Sequence, residues 1–436
     1  MNLGVTDLEK NREITVIILG ATGDLTIKKL IPSFNKLSKE FRITLVAVSR
    51  RDYTLKDYKN YLKTEKVTVN NKIKLFYFQA NFRDEDSLQD LKKVLKKTGS
   101  DKQERIFYLA SSPEFYKGII KQLGDCCKNI NTKLMIEKPF GHDLKSSKKL
   151  DMCLKKKFSE ENIFRVDHYL GKETVNNILT LRLSNPFLES TWNSKFIEEI
   201  KITVSEDYGV EGRMEYYDEA GALKDMVQNH LLQILSFLLM NPPKSTDSAS
   251  IQKEKVKALK KLRFVSLKKG RYKNYLKELK KETGKKESST ETYVLLQLAS
   301  KIFKWRGTKI FLETGKNLSK KDARIEIIYK KKPCYLYCDL NTNPNKLVIK
   351  IQPKQDIDFH LNTRKHGSSL EIENVKMKFR KGKKFISNTP GAYEVLIREC
   401  INNNRTLFIT QKELEQSWKL IDLITQKTKD YKVFIY

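Results

Sequence analysis

The chain has 436 residues, of which 39% are hydrophobic and 10% aromatic, so it can bury sizeable cores and does not have the composition of a disordered chain. This length exceeds that of one typical domain and predicts two. The formal net charge is +32, from 85 Lys and Arg against 53 Asp and Glu. A protein this basic can bind nucleic acid, an anionic membrane or a small phosphorylated ligand.

The basic residues are spread along the chain and mixed with acidic ones, as in Lys253–Lys261, and we find neither a zinc-finger spacing nor an RNP-type aromatic motif. We therefore favour a generally Lys-rich composition over a specific nucleic-acid partner, while a polyanion partner stays open. The six cysteines form no CxxC pair, which favours reduced thiols and a cytoplasmic location. The first 13 residues lack an apolar signal core, and the most apolar stretch, Leu231–Met240, is too short to span a bilayer.

The first third of the chain alternates apolar runs with helix-like segments, which predicts a doubly wound, parallel sheet. Continuous apolar runs are typical of strands that are buried on both faces. The predicted strands are Ile14–Leu19, Ile43–Val48, Lys74–Phe78, Ile106–Ala110 and Lys133–Ile136. The predicted helices are Leu25–Leu37, Asp84–Leu95 and Glu114–Leu123.

After about residue 165 the apolar residues recur with period two, which predicts a large mixed, mainly antiparallel sheet in an α+β domain. The predicted strands are Glu198–Val204, Tyr293–Leu298, Lys309–Glu313, Ala323–Tyr329 and Leu347–Ile351. The predicted helices are Thr174–Leu181, Asp225–Met240, Ala392–Asn402 and Lys412–Ile424. We predict a Rossmann-type α/β domain over residues 1–165 and the α+β domain over residues 166–436.

A glycine-containing turn follows the first predicted strand and opens a helix. It comprises Gly20, Ala21, Thr22, Gly23, Asp24 and Leu25. Gly20 permits a tight turn, Gly23 lets a pyrophosphate approach the backbone, and the helix N-terminus supplies N–H donors. The position between a buried strand and a helix indicates a dinucleotide site, although an ordinary tight turn between a strand and a helix gives the same pattern.

The end of the second strand indicates which dinucleotide binds. NAD enzymes usually place an acidic residue there, whereas this strand runs into Ser49, Arg50 and Arg51. An arginine forms charge-assisted hydrogen bonds to a ribose 2′-phosphate, so Arg50 favours NADP. A solvated charge at a strand end is the alternative for Arg50.

Five motifs, in order and at similar spacings, resemble those of the glucose-6-phosphate dehydrogenases. They are Gly20–Leu25 (GATGDL), Glu137–Gly141 (EKPFG), Arg165–Glu173 (RVDHYLGKE), Gly209–Arg213 (GVEGR) and Gln228–Gln233 (QNHLLQ). The run RVDHYLGK is highly specific, and weaker similarity extends the resemblance over roughly residues 14–424. The resemblance implies oxidation of D-glucose 6-phosphate to 6-phospho-D-glucono-1,5-lactone with NADP⁺, the first step of the oxidative pentose phosphate pathway.

Oxidation of a sugar hydroxyl requires a base, and histidine suits this role because its pKa lies near the operating pH. His230 lies among leucines and isoleucines at helical spacing, where a lone histidine is more often a core residue. The resemblance implies that His230 is the catalytic base and that Asp167 orients it. It also implies that Pro139 forms a bent hinge between the domains.

The resemblance also implies the remaining site residues. The residues implied to bind the substrate are Lys138, His168, Tyr169, Lys172, Glu206, Asp225, Lys316 and Gln352. Those implied to bind NADP are Gly20, Thr22, Gly23, Asp24, Leu25, Arg50, Pro113, Tyr116 and Lys138. Without the resemblance, the segment around His168 could equally be a polar loop that enters a helix. We expect no metal, since NADP⁺ accepts the hydride.

The chain departs from the family pattern at a second, structural NADP site that many eukaryotic members carry. Asp322 and Glu326 stand where basic residues of that site are expected, and the chain ends at Tyr436, soon after the last predicted helix. We therefore expect this structural site to be absent. The family further implies a homodimer through the large sheet.

Two alternative functions have sequence requirements of their own. A hexose-6-phosphate dehydrogenase of the secretory pathway would have a signal peptide, and often a fused lactonase domain. A non-catalytic, polyanion-binding protein on a dehydrogenase scaffold would have lost some of Asp167, His168, Lys172 and His230, and all four are present.

Overall fold

The computed structural model describes residues 12–98, 104–126, 132–331, 342–368, 371–379 and 389–436. The chain forms two compact units, of which the first comprises residues 1–171 with 390–411 and the second comprises residues 172–389 with 412–436. In the described part of the chain, no helix combines the length and the apolarity needed to cross a bilayer.

The first unit contains a six-stranded parallel sheet in the order β3-β2-β1-β4-β5-β6. The strands are β1 (Glu13–Leu19), β2 (Arg42–Ser49), β3 (Lys74–Gln79), β4 (Glu104–Leu109), β5 (Thr132–Glu137) and β6 (Ile163–Val166). Beyond their first residues, β1, β2 and β4 are buried throughout, as their continuous apolar sequences predict. This sheet confirms the predicted Rossmann-type α/β architecture.

Six α-helices belong to this unit in its described residues. They are α1 (Ile31–Leu37), α2 (Leu55–Thr64), α3 (Leu91–Lys97), α4 (Tyr116–Cys126), α5 (Leu144–Lys155) and α12 (Ala392–Ile401). A π-helical segment, Thr26–Leu30, precedes α1. Capping boxes begin α2 at Thr54 and α5 at Asp143, because each side chain accepts a hydrogen bond from the backbone N–H three residues later.

The helix α12 comes late in the sequence but packs in the first unit. The Arg398 guanidinium binds the Glu40 carboxylate at 2.7 Å, just beyond the end of α1. At the other end of α12, the buried ammonium of Lys133 donates hydrogen bonds to the carbonyls of Cys400 at 2.7 Å and Ile401 at 3.1 Å. A cation at a helix C-terminus pairs with carbonyls that have no partner within the helix.

One predicted helix was partly wrong. The prediction covered Asp84–Leu95, but helix α3 begins only at Leu91, and residues 82–90 form successive turns. The Asp84 carboxylate accepts a hydrogen bond from the Asp86 N–H at 3.1 Å, and the Asp86 carboxylate accepts one from the Gln89 amide at 2.5 Å. Such local side-chain bonds compete with helix formation, which explains the late start.

The second unit contains a nine-stranded mixed sheet in the order β14-β13-β12-β11-β7-β10-β9-β8-β15. The strands are β7 (Ile197–Ser205), β8 (Leu262–Arg271), β9 (Tyr293–Ser300), β10 (Lys309–Gly315), β11 (Asp322–Tyr329), β12 (Lys346–Gln352), β13 (Ile357–Arg364), β14 (Ile372–Phe379) and β15 (Val433–Ile435). The pairs β7–β10 and β8–β15 are parallel, and the other six pairs are antiparallel. The predicted α+β class with a mainly antiparallel sheet is confirmed.

Strands β9 and β11 alternate buried and half-exposed residues along their length, as the period-two sequence predicts. The helices of the second unit are α6 (Glu173–Leu183), α7 (Pro186–Thr191), α8 (Met214–Ala222), α9 (Leu232–Leu239), α10 (Ser248–Lys260), α11 (Tyr275–Thr283) and α13 (Gln411–Lys427). A π-helical segment, Leu223–Leu231, joins α8 to α9, so the predicted helix over Asp225–Met240 is present in two consecutive parts.

Candidate active site

The turn after β1 can be formed only by glycine at its first position. Gly20 has a φ of +113°, and the N–H groups of Gly20 and Ala21 both donate to the Val48 carbonyl at 2.9 Å. A Cβ at Gly20 would lie 2.6 Å from the Ala110 carbonyl oxygen. The Thr26 hydroxyl donates to the Gly20 carbonyl at 3.0 Å and closes the turn onto the helix that follows.

The rest of the loop is more open. A Cβ at Gly23 would meet nothing closer than the Gly20 carbonyl at 3.4 Å, so the backbone remains accessible there. Asp24 pairs with Lys28 at 2.6 Å, and both side chains are mostly exposed. Thr22, Gly23, Asp24 and Leu25 thus lie at the start of the helical segment, as predicted.

Two tyrosines from α2 support this loop from behind. The Tyr58 hydroxyl donates to the Ala21 carbonyl, and the Tyr61 hydroxyl donates to the Thr22 carbonyl, both at 3.0 Å. With these carbonyls engaged by α2, the loop is held in one conformation. Neither tyrosine was among the predicted site residues, because nothing in their spacing shows that α2 lies against the loop.

Arg50 and Arg51 follow β2, at the same edge of the sheet as the glycine loop. Arg50 is exposed, as a residue that binds a ligand phosphate must be. The Arg51 guanidinium lies over the Tyr61 ring at 4.6 Å and donates to the Tyr53 hydroxyl at 3.0 Å. Arg51 is therefore packed against aromatic rings, whereas Arg50 projects into solvent.

Pro113 and Tyr116 follow β4 and begin a short 3-10 turn and the helix α4, respectively. Tyr116 is buried, and its hydroxyl donates to the Glu137 carbonyl oxygen at 3.2 Å. The hydroxyl of Tyr116 is thus fixed to the backbone that precedes Lys138. Lys138 itself is half-buried, and the peptide bond between Lys138 and Pro139 is cis.

The Glu137 carboxyl group at the end of β5 lies near two tyrosine hydroxyls. Tyr108 donates to Glu137 Oε1 at 2.6 Å. Burial raises the pKa of Tyr393, and the neighbouring Glu137 charge raises it further. Burial is the main cause that raises the pKa of Glu137 to about 7, and the hydrogen bond from Tyr108 opposes the shift. Neither Glu137 nor Tyr393 was among the predicted site residues.

The run RVDHYLGK begins in strand β6 and continues beyond its carboxyl end. Asp167 is buried and accepts a hydrogen bond from the Tyr169 N–H at 2.9 Å. The His168 ring stacks on Tyr393, with centroids 6.2 Å apart and an interplanar angle of 9°. Tyr169 is also buried, and all three predicted site residues therefore lie in an ordered turn.

In the second unit, two pairs of predicted substrate-binding residues are in contact. The Lys172 ammonium, just before α6, donates to the Gln352 amide oxygen at 2.7 Å. The Lys316 ammonium lies 2.5 Å from Glu206 Oε2, and Lys316 is only 3% exposed. Sequence separations of 180 and 110 residues are bridged, because β7 and β10 are parallel neighbours and α6 packs against β12.

Asp225 and His230 both lie in the π-helical segment Leu223–Leu231 and are buried. The Asn229 side chain connects their backbones, because its amide donates to the Asp225 carbonyl at 3.0 Å and its oxygen accepts from the His230 N–H at 2.6 Å. The Glu291 carboxylate accepts from the Leu223 N–H at 3.0 Å and holds the start of this segment. π-Helical turns are often found at functional sites.

Comparisons with known proteins identify the family. The description "Glucose-6-phosphate dehydrogenase, NAD binding domain" matches residues 17–177, and "Glucose-6-phosphate dehydrogenase, C-terminal domain" matches residues 179–436. The chain belongs to the glucose-6-phosphate dehydrogenase family. It is 37% identical to a glucose-6-phosphate 1-dehydrogenase of Borreliella burgdorferi, over 97% of this chain and 93% of the relative.

A second relative is a glucose-6-phosphate 1-dehydrogenase of Bacillus subtilis, with 35% identity over 94% of this chain and 91% of the relative. Among solved structures, a glucose-6-phosphate dehydrogenase in complex with its substrate glucose-6-phosphate matches with a TM-score of 0.87 and 29% identity. That match covers 98% of this chain and 94% of the solved chain. The family resemblance that the motifs indicated is thereby confirmed for this member of the glucose-6-phosphate dehydrogenase family.

The raised pKa of Glu137 predicts a pH-dependent cost to folding. The unfolded carboxyl group loses its proton near pH 4.5, whereas the folded one keeps it up to about pH 7, so wild-type stability falls as the pH rises through this window. Glu137→Gln removes this ionisation, and we expect the variant to gain on the order of 1–3 kcal/mol relative to wild type between pH 4.5 and 7. Urea unfolding at pH 5 and pH 8 measures the difference.

The control is Glu161→Gln, at an exposed glutamate in the same unit. It reports what the loss of one surface charge does at each pH. A stability difference between Glu137→Gln and wild type that stays constant from pH 5 to pH 8 would contradict the predicted ionisation.

Proposed function

We propose that this chain oxidises D-glucose 6-phosphate to 6-phospho-D-glucono-1,5-lactone and reduces NADP⁺ to NADPH. The observation that carries the proposal is the presence of all five motifs among the described residues, with Asp167 and His230 buried and His168 and Lys172 half-buried. Family membership over nearly the whole chain supports the same reaction.

The residues around the glycine loop fit NADP⁺. Gly23 leaves the backbone open to a pyrophosphate, and the start of the helical segment supplies N–H donors with a favourable dipole. The exposed guanidinium of Arg50 suits a 2′-phosphate. We assign Thr22, Asp24 and Leu25 to the same subsite, and Pro113, Tyr116 and Lys138 to the nicotinamide side.

The reaction requires a base and an acceptor for two electrons. We assign His230 as the base that takes the proton of the C1 hydroxyl, and Asp167 as the carboxylate that orients the imidazole and stabilises its protonated form. Bound NADP⁺ accepts the hydride from C1. The products are therefore the lactone, NADPH and one proton.

The charge of the substrate's 6-phosphate determines which residues we assign to it. We assign the 6-phosphate to His168, Tyr169 and Lys172, because cationic and neutral donors suit a dianion. The observed bond from Lys172 joins its ammonium to the amide oxygen of Gln352, which was also predicted to bind the substrate.

A sugar hydroxyl both donates and accepts hydrogen bonds, so its binding site needs donor groups and acceptor groups together. We assign the sugar hydroxyls to Lys138, Glu206, Asp225 and Lys316. The observed contact between Glu206 and Lys316 places a carboxylate beside an ammonium and supports this assignment.

We further propose that the second, structural NADP site is absent. The Arg324 guanidinium binds both Asp322 and Glu326, and the Lys346 ammonium lies 3.3 Å from Glu326. The cations on this part of β11 and β12 are thus already paired with carboxylates, which would repel a dinucleotide phosphate.

For the compartment we propose the cytoplasm, in keeping with the free thiols of Cys153 and Cys400.

The first prediction from the proposed function concerns turnover. Purified protein mixed with glucose 6-phosphate and NADP⁺ should form NADPH, which absorbance follows directly. His230→Asn should lower kcat by about 10²–10⁴-fold, the usual contribution of a general base. NADP⁺ affinity should remain unchanged, because His230 is assigned to proton transfer and not to coenzyme binding.

The matched control is His360→Asn, at a half-exposed histidine on β13 outside the assigned site. Its kcat should equal that of wild type. Absence of NADPH formation by the wild type would refute the proposed reaction, whereas equal turnover by His230→Asn would refute only the assignment of the base.

The second prediction concerns the coenzyme. Arg50→Ala should weaken NADP⁺ binding by about 10–100-fold, the range for a lost hydrogen bond to a charged group, and should leave NAD⁺ binding nearly unchanged. Calorimetric titration measures both, and it should give one NADP⁺ per chain if the structural site is absent. Arg42→Ala, at the opposite end of β2, is the control. Equal losses for the two coenzymes would exclude a 2′-phosphate role for Arg50.

The third prediction concerns assembly. The half-exposed face of the nine-stranded sheet carries Leu295, Phe311 and Ile328 between charged side chains, and we propose that two copies of the chain pair through this face as a homodimer. Phe311→Glu would place a charge in the contact and should give a monomer by light scattering. The control is Phe303→Glu, at a phenylalanine that is 82% exposed between β9 and β10. An unchanged dimer mass for Phe311→Glu would exclude this face.

A further inference from the structure

Lys316 and Glu206, assigned above to the sugar, are positioned by two neighbouring strands. Glu206 follows β7 and Lys316 follows β10, and these strands are parallel, so both residues lie at the same edge of the sheet. The Lys316 ammonium lies 2.5 Å from Glu206 Oε2. The Tyr208 hydroxyl donates to the other oxygen, Oε1, at 2.6 Å.

Two aromatic rings flank the same ammonium. Lys316 Nζ lies 5.4 Å from the centroid of the Tyr208 ring and 5.3 Å from that of Tyr217, distances at which the ring quadrupole attracts a cation. Lys316 is 3% exposed, so its side chain has little freedom to move. The position of the Lys316 ammonium therefore depends on the position of the Lys316 backbone.

That backbone is held on both sides. The Lys316 N–H donates to the Thr292 carbonyl at 3.0 Å. The Lys316 carbonyl accepts a hydrogen bond from the Tyr436 hydroxyl at 2.7 Å. The same hydroxyl lies 2.9 Å from Thr292 Oγ1, so one phenol group connects Lys316 to the strand that follows Thr292.

Tyr436 is itself fixed by main-chain bonds. Its N–H donates to the Arg271 carbonyl at 3.1 Å, and its carbonyl accepts from the Lys273 N–H at 3.0 Å. Strand β15, just before it, pairs in parallel with β8, and the Tyr436 ring packs 5.8 Å from the ring of Tyr293. Burial raises the pKa of Tyr436 to about 12, so the hydroxyl keeps its proton at neutral pH and remains a donor.

We propose that Tyr436 is a positioning residue for the substrate site: its hydroxyl, bound to the Lys316 carbonyl, fixes the place of the Lys316 ammonium and thereby the affinity for the phosphorylated sugar. The proposal rests on the proposed function, because Lys316 and Glu206 are assigned to the substrate there. It adds Tyr436, which directly follows β15 and is not assigned to contact the substrate, to the residues that determine substrate affinity.

The competing interpretation is that Tyr436 only closes the edge of the sheet. A residue that only stabilises the fold would change the melting temperature and leave the KM for each substrate unchanged. A positioning residue would change the KM for glucose 6-phosphate selectively, and its effect would require the Lys316 side chain. These two readouts separate the interpretations.

The experiment is Tyr436→Phe, which removes one hydroxyl and keeps the ring. We expect the KM and the calorimetric Kd for glucose 6-phosphate to rise about 3–10-fold, the range for one lost hydrogen bond, with the KM for NADP⁺ unchanged. In a Lys316→Ala background the same substitution should change affinity less than about 1.5-fold, because coupled residues are not additive.

Two controls accompany the cycle. Tyr431→Phe alters an exposed tyrosine of the same segment and should change nothing. Phe434→Leu loosens the packing of β15 against Gly270 and Tyr293 and should lower the melting temperature without a selective rise in the KM for glucose 6-phosphate.

An unchanged affinity for glucose 6-phosphate in Tyr436→Phe would overturn the proposal, as would an equal penalty with and without the Lys316 side chain. If the wild type binds glucose 6-phosphate but does not oxidise it, the proposed reaction fails while the binding cycle still decides the role of Tyr436. Absence of both binding and turnover would overturn the two proposals together.

Discussion

The buried guanidinium of Arg165 holds the strand from which the signature run of this protein emerges. Arg165 is 1% exposed and binds Asp151 at 2.7 Å and Glu160 at 2.8 Å, while its carbonyl accepts from the Ile409 N–H at 3.2 Å. An unpaired charge at this depth costs about 3–5 kcal/mol. The Arg165 guanidinium and its two carboxylate partners therefore stabilise the fold only as a complete cluster. Asp167 follows two residues later, and its position depends on this ion-pair cluster. The first residue of RVDHYLGK is therefore structural, and the functional residues begin after it.

A second buried arginine has the same role in the other unit. Arg182 on α6 binds the carbonyls of Phe237 and Met240 at the end of α9, and the Glu189 carboxylate of α7. The helix α6 begins directly after Lys172, and α9 continues directly from the π-helical segment of His230. Arg182 thus connects the helix that follows a proposed phosphate ligand to the helix that follows the proposed base. In both units, a buried guanidinium with a carboxylate partner fixes backbone next to the residues that we assign to catalysis.

Sequence patterns predicted those elements whose burial follows a simple period. The continuous apolar runs of β1 and β2 and the alternation of β9 to β11 were recognised, because burial is uniform or strictly alternating there. Strands β13 and β14 were not predicted, since β14 is the edge strand, β13 is its neighbour, and both carry exposed polar or charged residues among their apolar ones. The helix over Asp84–Leu95 was predicted too long, because periodicity does not register the side-chain bonds of Asp84 and Asp86.

Motif resemblance assigned the chemical groups of the proposed site, but it did not identify the residues that contact and hold them. Histidine, aspartate and lysine are recognisable in RVDHYLGK because the reaction requires those types. The residues that hold the assigned groups include ordinary tyrosines: Tyr393 stacks on His168, Tyr58 binds the Ala21 carbonyl of the glycine loop, and Tyr436 binds the backbone of Lys316. Each acts across 37 to 225 residues of sequence through one ring or one hydroxyl. Such contacts follow from the order of strands in a sheet, which local periodicity does not determine. The types of the groups that we assign to catalysis are therefore set by the chemistry of the reaction, whereas the tyrosines that hold them depend on which strands and helices the fold brings into contact.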